Sequence, residues 1–277
     1  SGDASGKYMR NNGNSQTHTA YSSATTASAY IGGSTVVAAS DLEIFAFAVY
    51  GTALSAGDKQ ITEDAFEATF GANNPFTSKI IYDGDSITAG FTSGAYLYGW
   101  PRVVSSINGQ NAAVYNVAVP GSTVSTCYTQ RAQVTGRYNS AYAKNVSVIF
   151  AGTNDLDGRA SGTIVGYGTT VWSTYTLPYI QAIKAAGFTR VIVGTAIART
   201  FTGSAQDKID KEAERLVYNQ LIRDNAASEG YSVLDFAGLA QMSVSTDTTY
   251  FVDGVHPTRT GYNLMGTYAA PIIAAYT

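Results

Sequence analysis

From residue 79 onward, short apolar runs alternate with longer stretches whose apolar positions recur every three or four residues. The short runs read as strands at Lys79–Tyr82, Ala113–Val117, Ser147–Phe150, Thr189–Gly194 and Ser232–Phe236. The periodic stretches read as helices at Trp100–Ile107, Thr170–Ala186, Asp207–Ser228 and Gly261–Tyr276. Leu177, Ile180 and Ile183 share one face of the second helix, and Ile209, Leu216, Leu221 and Ile222 form the apolar positions of the charged third. Strands that alternate with helices predict an α/β fold with a parallel sheet covered on both faces.

The first seventy-five residues have a different rhythm. Residues 1 to about 40 are rich in Ser, Thr, Ala, Gly and Asn. Short extended pieces are predicted at Lys7–Arg10, Thr17–Tyr21 and Ser28–Ile31, with turns at Asn12-Gly13 and Gly32-Gly33. Alternation then predicts a strand at Asp41–Tyr50. A helix is predicted at Ser55–Phe70, with Ile61, Phe66 and Phe70 on its apolar face. Asn73-Asn74-Pro75 reads as a linker. The chain therefore divides into a β-rich module at 1–75 and a larger α/β domain at 76–277.

Composition narrows the function classes. Of the 277 residues, 45% are apolar and 13% are charged, which places the chain among folded proteins. Its polar surface must come from Ser, Thr, Asn, Gly and its 20 tyrosines, a profile that suits an extracellular or virion-borne protein meeting carbohydrate. A net charge of −3 without a basic block speaks against a nucleic-acid partner. No apolar run reaches membrane-spanning length. Ser1-Gly2 reads as a cloning scar, so the absence of a legible export signal carries no weight. The single cysteine, Cys127, leaves no partner for an internal disulfide and reads as a buried free thiol.

Four short motifs carry the candidate chemistry. Gly84-Asp85-Ser86 follows the first strand of the α/β domain, where a serine either exposes its hydroxyl near a helix N-terminus or caps that helix. Gly121, in Asn116–Thr123, either lets a backbone N–H approach a ligand or serves as a turn glycine. Gly152-Thr153-Asn154-Asp155 follows the third strand, and the Asn154 amide either donates to an oxyanion or closes a capped turn. Asp253-Gly254-Val255-His256-Pro257 precedes the closing helix. Its three-residue spacing lets Asp253 reach His256 Nδ1 and leaves Nε2 free for a hydroxyl. The other histidine, His18, lies in the polar N-terminal segment and reads as solvent-exposed. Asp155 and Asp157 lack further carboxylate partners at loop spacing, so they read as a solvated loop and no metal is expected.

Taken together, "YDGDSITAG", Gly121, "GTND" and "DGVHP" resemble, in order, the four blocks of the SGNH hydrolases, also called GDSL-type esterases. The resemblance spans residues 79–277. Ala118 departs from it, standing where many members carry a further glycine. The resemblance implies a three-layer α/β/α fold with a five-stranded, flavodoxin-like parallel sheet. It also implies a Ser86–His256–Asp253 triad, an oxyanion hole from Ser86, Gly121 and Asn154, and no cofactor. The Gly-x-Ser-x-Gly elbow of α/β-hydrolases is absent. In the N-terminal part, Ser28–Gly71 resembles the end of a concanavalin-like jelly roll, through "IFAFAVYGTALS" and "AGDKQITEDAFEATFG". Too few strands are present for a complete sandwich, which leaves a truncated domain and a reduced accessory module as open readings.

The substrate is less legible. Tyr167, Trp172 and Phe201 lie in segments that should border the site, as pocket walls or as core. The expected partner is an acylated small molecule or polysaccharide, with O-acetyl groups on a carbohydrate foremost. The alternatives are a lipolytic or aryl esterase of the same fold, and an inactive carbohydrate-binding or phage tail module. A longer apolar acyl pocket would mark the lipolytic enzyme. Activity that is lost on removing the Ser86 hydroxyl would exclude the inactive module.

Overall fold

A computed structural model describes residues 7–11, 14–18, 76–92, 95–96, 99–109 and 112–277 of the chain. The predicted elements at Ser28–Ile31, Asp41–Tyr50 and Ser55–Phe70, the Gly32-Gly33 turn and the linker Asn73-Asn74-Pro75 lie outside those residues. The chain divides into two compact units, Ser1–Asn74 and Pro75–Thr277. In the first, β1 (Lys7–Asn11) pairs antiparallel with β2 (Asn14–His18). Asn11 faces Asn14, so the second strand starts three residues earlier than the predicted Thr17.

The second unit is built on β3 (Ser78–Gly84), a two-stranded hairpin of β4 (Phe91–Thr92) and β5 (Ala95–Tyr96), and then β6 (Ala113–Asn116), β7 (Lys144–Phe150), β8 (Arg190–Gly194) and β9 (Ser232–Leu234). Five of these form one sheet, in the order β6-β3-β7-β8-β9, with every neighbouring pair parallel. This is the flavodoxin-like order, and its direction reverses between β3 and β7. Ligands bind open parallel sheets at that point, outside the carboxyl ends of the strands.

Burial explains why the central strands read as unbroken apolar runs. Every residue of β3 is buried, and so is all of β7 after Lys144. The edge strand β6 alternates between half-buried and exposed positions instead. The period of two divides the core into layers. Ile80, Tyr82, Val148 and Phe150 face Trp100 and Val104 of the Trp100–Ile107 helix, with Tyr262, Met265 and Ile273 of the Arg259–Ala274 helix. Ile81, Ile149, Val191 and Val193 face the opposite layer, which holds Val124, Tyr179, Ile180, Ile183, Tyr218 and Ile222.

Two predicted helices differ in detail. The Thr170–Ala186 stretch is a π-helical turn at Val171–Thr176 followed by an α-helix at Leu177–Ala185. Pro178 has no N–H to continue the α ladder, and the Thr176 hydroxyl bonds back to the Val171 carbonyl at 3.1 Å. The charged helix spans Ala205–Asp224 and opens with a reciprocal capping box between Ser204 and Asp207. Its buried face matches the predicted apolar one only in part: Ile222 is buried and Leu221 packs against the core, but Ile209 and Leu216 are exposed while Lys211, Glu214, Arg215 and Asn219 are buried. These polar side chains hold neighbouring backbone. Glu214 accepts from the N–H groups of Gly166 and Gly168, and Asn219 bonds both the N–H and the carbonyl of Ala196. Among the described residues, no helix is long and apolar enough to cross a membrane.

Candidate active site

The site grows out of the end of β3. A Cβ on Gly84 would lie 2.0 Å from the Phe150 carbonyl oxygen and 2.6 Å from Thr88 Oγ1. Only glycine lets β3 and β7 end this close together before the chain turns into the short helix Ser86–Ala89. The cap of that helix is Asp85, whose Oδ1 accepts from Ile87 N at 2.9 Å. The Ser86 hydroxyl is therefore not used as a cap. It lies 2.9 Å from His256 Nε2.

His256 sits on a loop closed by its own backbone. Val252 N donates to the His256 carbonyl at 2.8 Å, and Phe251 bridges Pro257. Asp253 Oδ1 accepts from the backbone N–H groups of Val255 and His256, and Oδ2 lies 2.8 Å from His256 Nδ1. A carboxylate only accepts, so the ring proton sits on Nδ1 and Nε2 is left to accept from the Ser86 hydroxyl. Partial burial pulls the Asp253 carboxyl up, but the bonds from His256 and Val255 outweigh it and hold the group below its ordinary range.

The second and third motifs end at the same sheet edge. Val119 N donates to the Gly84 carbonyl at 3.0 Å, which ties the β6 loop to the serine turn. Val119-Pro120-Gly121-Ser122 closes as a turn through Ser122 N and the Val119 carbonyl, with Gly121 at φ +79°. That conformation needs glycine, so the turn reading of Gly121 is correct whatever its N–H does. Asn154 does not cap a turn with its side chain. Its Nδ2 donates to the Ser122 carbonyl at 3.0 Å, and its Oδ1 accepts from Arg199 Nη1 at 3.0 Å.

Asp155 and Asp157 do not form a solvated loop. Asp155 is buried and accepts Val124 N on both oxygens, at 3.1 and 2.9 Å, which clamps the β6 loop to the β7 loop. Burial pushes its carboxyl up to about 6. Asp157 pairs with Arg199 Nη2 at 2.8 Å and Lys211 Nζ at 3.5 Å, and accepts from Thr202 N. Burial raises the Asp157 carboxyl, but the Thr202 bonds and the two cations leave it lowered. Among the described residues, no group of three or more His, Cys, Asp or Glu is placed to hold a metal ion.

Of the three predicted wall residues, Trp172 belongs to the core. It is buried and its ring packs 6.1 Å from that of Tyr231, the residue before β9 and thus at the opposite sheet edge from Ser86. Phe201 is buried on the segment after β8. Tyr167 is half-buried, with the Arg159 guanidinium 4.0 Å above its ring. The sequence reading missed Phe91. Its ring stands edge-on to His256 with centroids 4.5 Å apart, and its carbonyl accepts from the Tyr262 hydroxyl at 2.6 Å. Only its position, five residues after Ser86, hinted at this. Arg199 was also missed, since nothing local marks it.

A flavodoxin-like sheet that carries a hydroxyl, an imidazole and a carboxylate in one hydrogen-bonded line at its ligand edge defines the SGNH class of hydrolases. The sequence profile of the GDSL-like Lipase/Acylhydrolase family matches residues 84–264, and the chain belongs to that family of ester hydrolases. Solved structures agree on the fold. A lipolytic protein of the G-D-S-L family from Veillonella parvula is 23% identical, with a TM-score of 0.57, over 70% of this chain and 97% of its own. The lipase/acylhydrolase from Enterococcus faecalis is 22% identical, with a TM-score of 0.54, over 72% of this chain and 96% of its own. A catalytic mutant of Axe2, an acetylxylan esterase from Geobacillus stearothermophilus, is 15% identical, with a TM-score of 0.53, over 70% of this chain and 93% of its own. No curated protein sequence matches the chain.

Proposed function

We propose that the chain is a serine O-acetylesterase acting on acetylated carbohydrate. The observation that carries the reading is the line from Asp253 through His256 to Ser86, with links of 2.8 and 2.9 Å. Ser86 Oγ attacks the ester carbonyl and gives its proton to His256 Nε2. Asp253 holds the tautomer and stabilises the imidazolium. The tetrahedral oxyanion takes hydrogen bonds from the backbone N–H groups of Ser86 and Gly121 and from Asn154 Nδ2. Collapse expels the alcohol, which takes the proton from His256. Water then repeats the sequence on the acyl-enzyme and releases acetate. The reaction needs no metal or cofactor.

Two observations support a small acyl group on a sugar. The Phe91 ring fills space beside His256, and acetylxylan esterases occur among the structural neighbours. The test is hydrolysis of chromogenic esters from acetyl to octanoyl, followed by acetate release from an acetylated xylan. The reading expects a steep preference for acetyl, lost in Ser86→Ala. A preference for octanoyl would move the assignment to a lipolytic esterase. Equal rates in the parent and Ser86→Ala would end the reading altogether.

A further inference from the structure

The segment after β8 carries an arginine outside the line from Asp253 to Ser86. Arg199 reaches from there to the β7 loop, 45 residues away in sequence, and meets Asn154 Oδ1 at 3.0 Å. Its other terminal nitrogen meets Asp157 Oδ2 at 2.8 Å, and the guanidinium and carboxylate are nearly buried, with side chains 13% and 12% exposed. Asp157 is itself held by Lys211 Nζ and by the N–H and hydroxyl of Thr202. The arginine is thus anchored through Nη2 and turns Nη1 to the Asn154 amide, touching Thr153 Oγ1 more loosely at 3.5 Å, while its buried Nε has no hydrogen-bond partner.

We infer that Arg199 is a positioning residue for ester hydrolysis, which orients the Asn154 side-chain amide and polarises it toward the oxyanion. The inference rests on the oxyanion-donor reading of Asn154. An amide can be turned by 180° about its last bond, exchanging oxygen for nitrogen. Arg199 offers only donors and the Ser122 carbonyl only accepts, so a turned Asn154 would lose both bonds and place N–H against guanidinium. The amide therefore has one orientation. One Nδ2 proton goes to Ser122 and the second remains for substrate. A cation on the carbonyl oxygen also draws charge through the amide, which strengthens the remaining N–H as a donor in a partly buried setting. Both effects grow as negative charge develops on the substrate oxygen, so they lower the barrier more than they tighten the ground-state complex.

The test is a double-mutant cycle on the full chain, read with a chromogenic acetyl ester. Asn154→Ala is expected to lower kcat by about a hundred- to a thousandfold. Arg199→Met is expected to lower kcat about tenfold or more, with KM little changed. In the Asn154→Ala background, Arg199→Met should cost less than about threefold, because the amide through which it acts is gone. Arg199→Lys, which restores a cation with a single donor direction, should recover part of the loss. Asp157→Asn serves where Arg199→Met fails to fold, since it loosens the anchor and leaves the arginine in place. It should reproduce a smaller loss in kcat that is likewise absent without Asn154. Additive losses, or losses confined to KM or to melting temperature, would overturn the positioning role. An Asn154→Ala variant with parental kcat would instead overturn the oxyanion reading beneath it.

Discussion

The two halves of the candidate site are built on opposite terms. The serine half is buried: Asp85 and Ser86 are 1% and 8% exposed, at the end of a strand with no exposed residue. The base half lies on a loop, with the Asp253 and His256 side chains 46% and 19% exposed. The carboxylates follow the same division. Burial pushes Asp85 up to about 7, against the pull of the Ile87 N–H, and Asp155 up to about 6. Asp253 is held low by its bonds to His256 and Val255 despite its partial burial. The buried carboxylates serve structure, as a helix cap and a loop clamp, whereas the carboxylate bonded to His256 stands where keeping its charge is easy. Rigidity comes from the sheet edge, and the hydrogen-bonded Asp253–His256 pair comes from the loop.

This division predicts that the base half can be disabled without loosening the fold. Asp253→Asn keeps an oxygen for the two backbone N–H groups but removes the acceptor for Nδ1–H, which favours the wrong tautomer. A fall in kcat of about a thousand- to ten-thousandfold is expected, with stability changed by less than about 1 kcal/mol. Steady-state kinetics beside a melting curve checks both. A large loss of stability would mean that the loop braces the domain after all.

The serine half should respond through stability and pH. Asp85 has a raised pKa in the folded chain, so the folded form holds its proton more tightly than the unfolded form. Its contribution is greatest below the unfolded pKa, about 4, and is lost as pH rises towards about 7. Asp85→Asn keeps the cap oxygen and removes the ionisation. Relative to the parent, it should gain stability progressively between about pH 4 and 7, by at most about 4 kcal/mol. Urea unfolding at several pH values reads this directly, and a constant difference between the two proteins would place the cost elsewhere.

The sheet and the four loop motifs were legible because each is local. An unbroken apolar run marks a strand buried on both faces, and β3 and β7 differ from the prediction only by a few residues at their ends. Asp253 and His256 lie three residues apart, so spacing alone implied their contact. What stayed hidden depends on distance in sequence. The helix Ala205–Asp224 buries Lys211, Glu214, Arg215 and Asn219 because distant loops supply partners for them, and hydrophobic periodicity cannot register a satisfied polar face. The same holds for Arg199 on Asn154 and for Phe91 on His256. Trp172 was ambiguous for the converse reason, since an aromatic residue beside a motif serves a wall or a core equally well until the sheet edge it packs against is known.

The central claim is that the Ser86 hydroxyl is the nucleophile activated by His256. The most direct measurement is the intact mass of the chain after treatment with a fluorophosphonate, followed by peptide mapping. The serine oxygen displaces fluoride from phosphorus, so one adduct should form, on the peptide containing Ser86. Labelling should disappear in Ser86→Ala and slow sharply in His256→Ala. An adduct on another residue, or a rate indifferent to His256, would contradict the account.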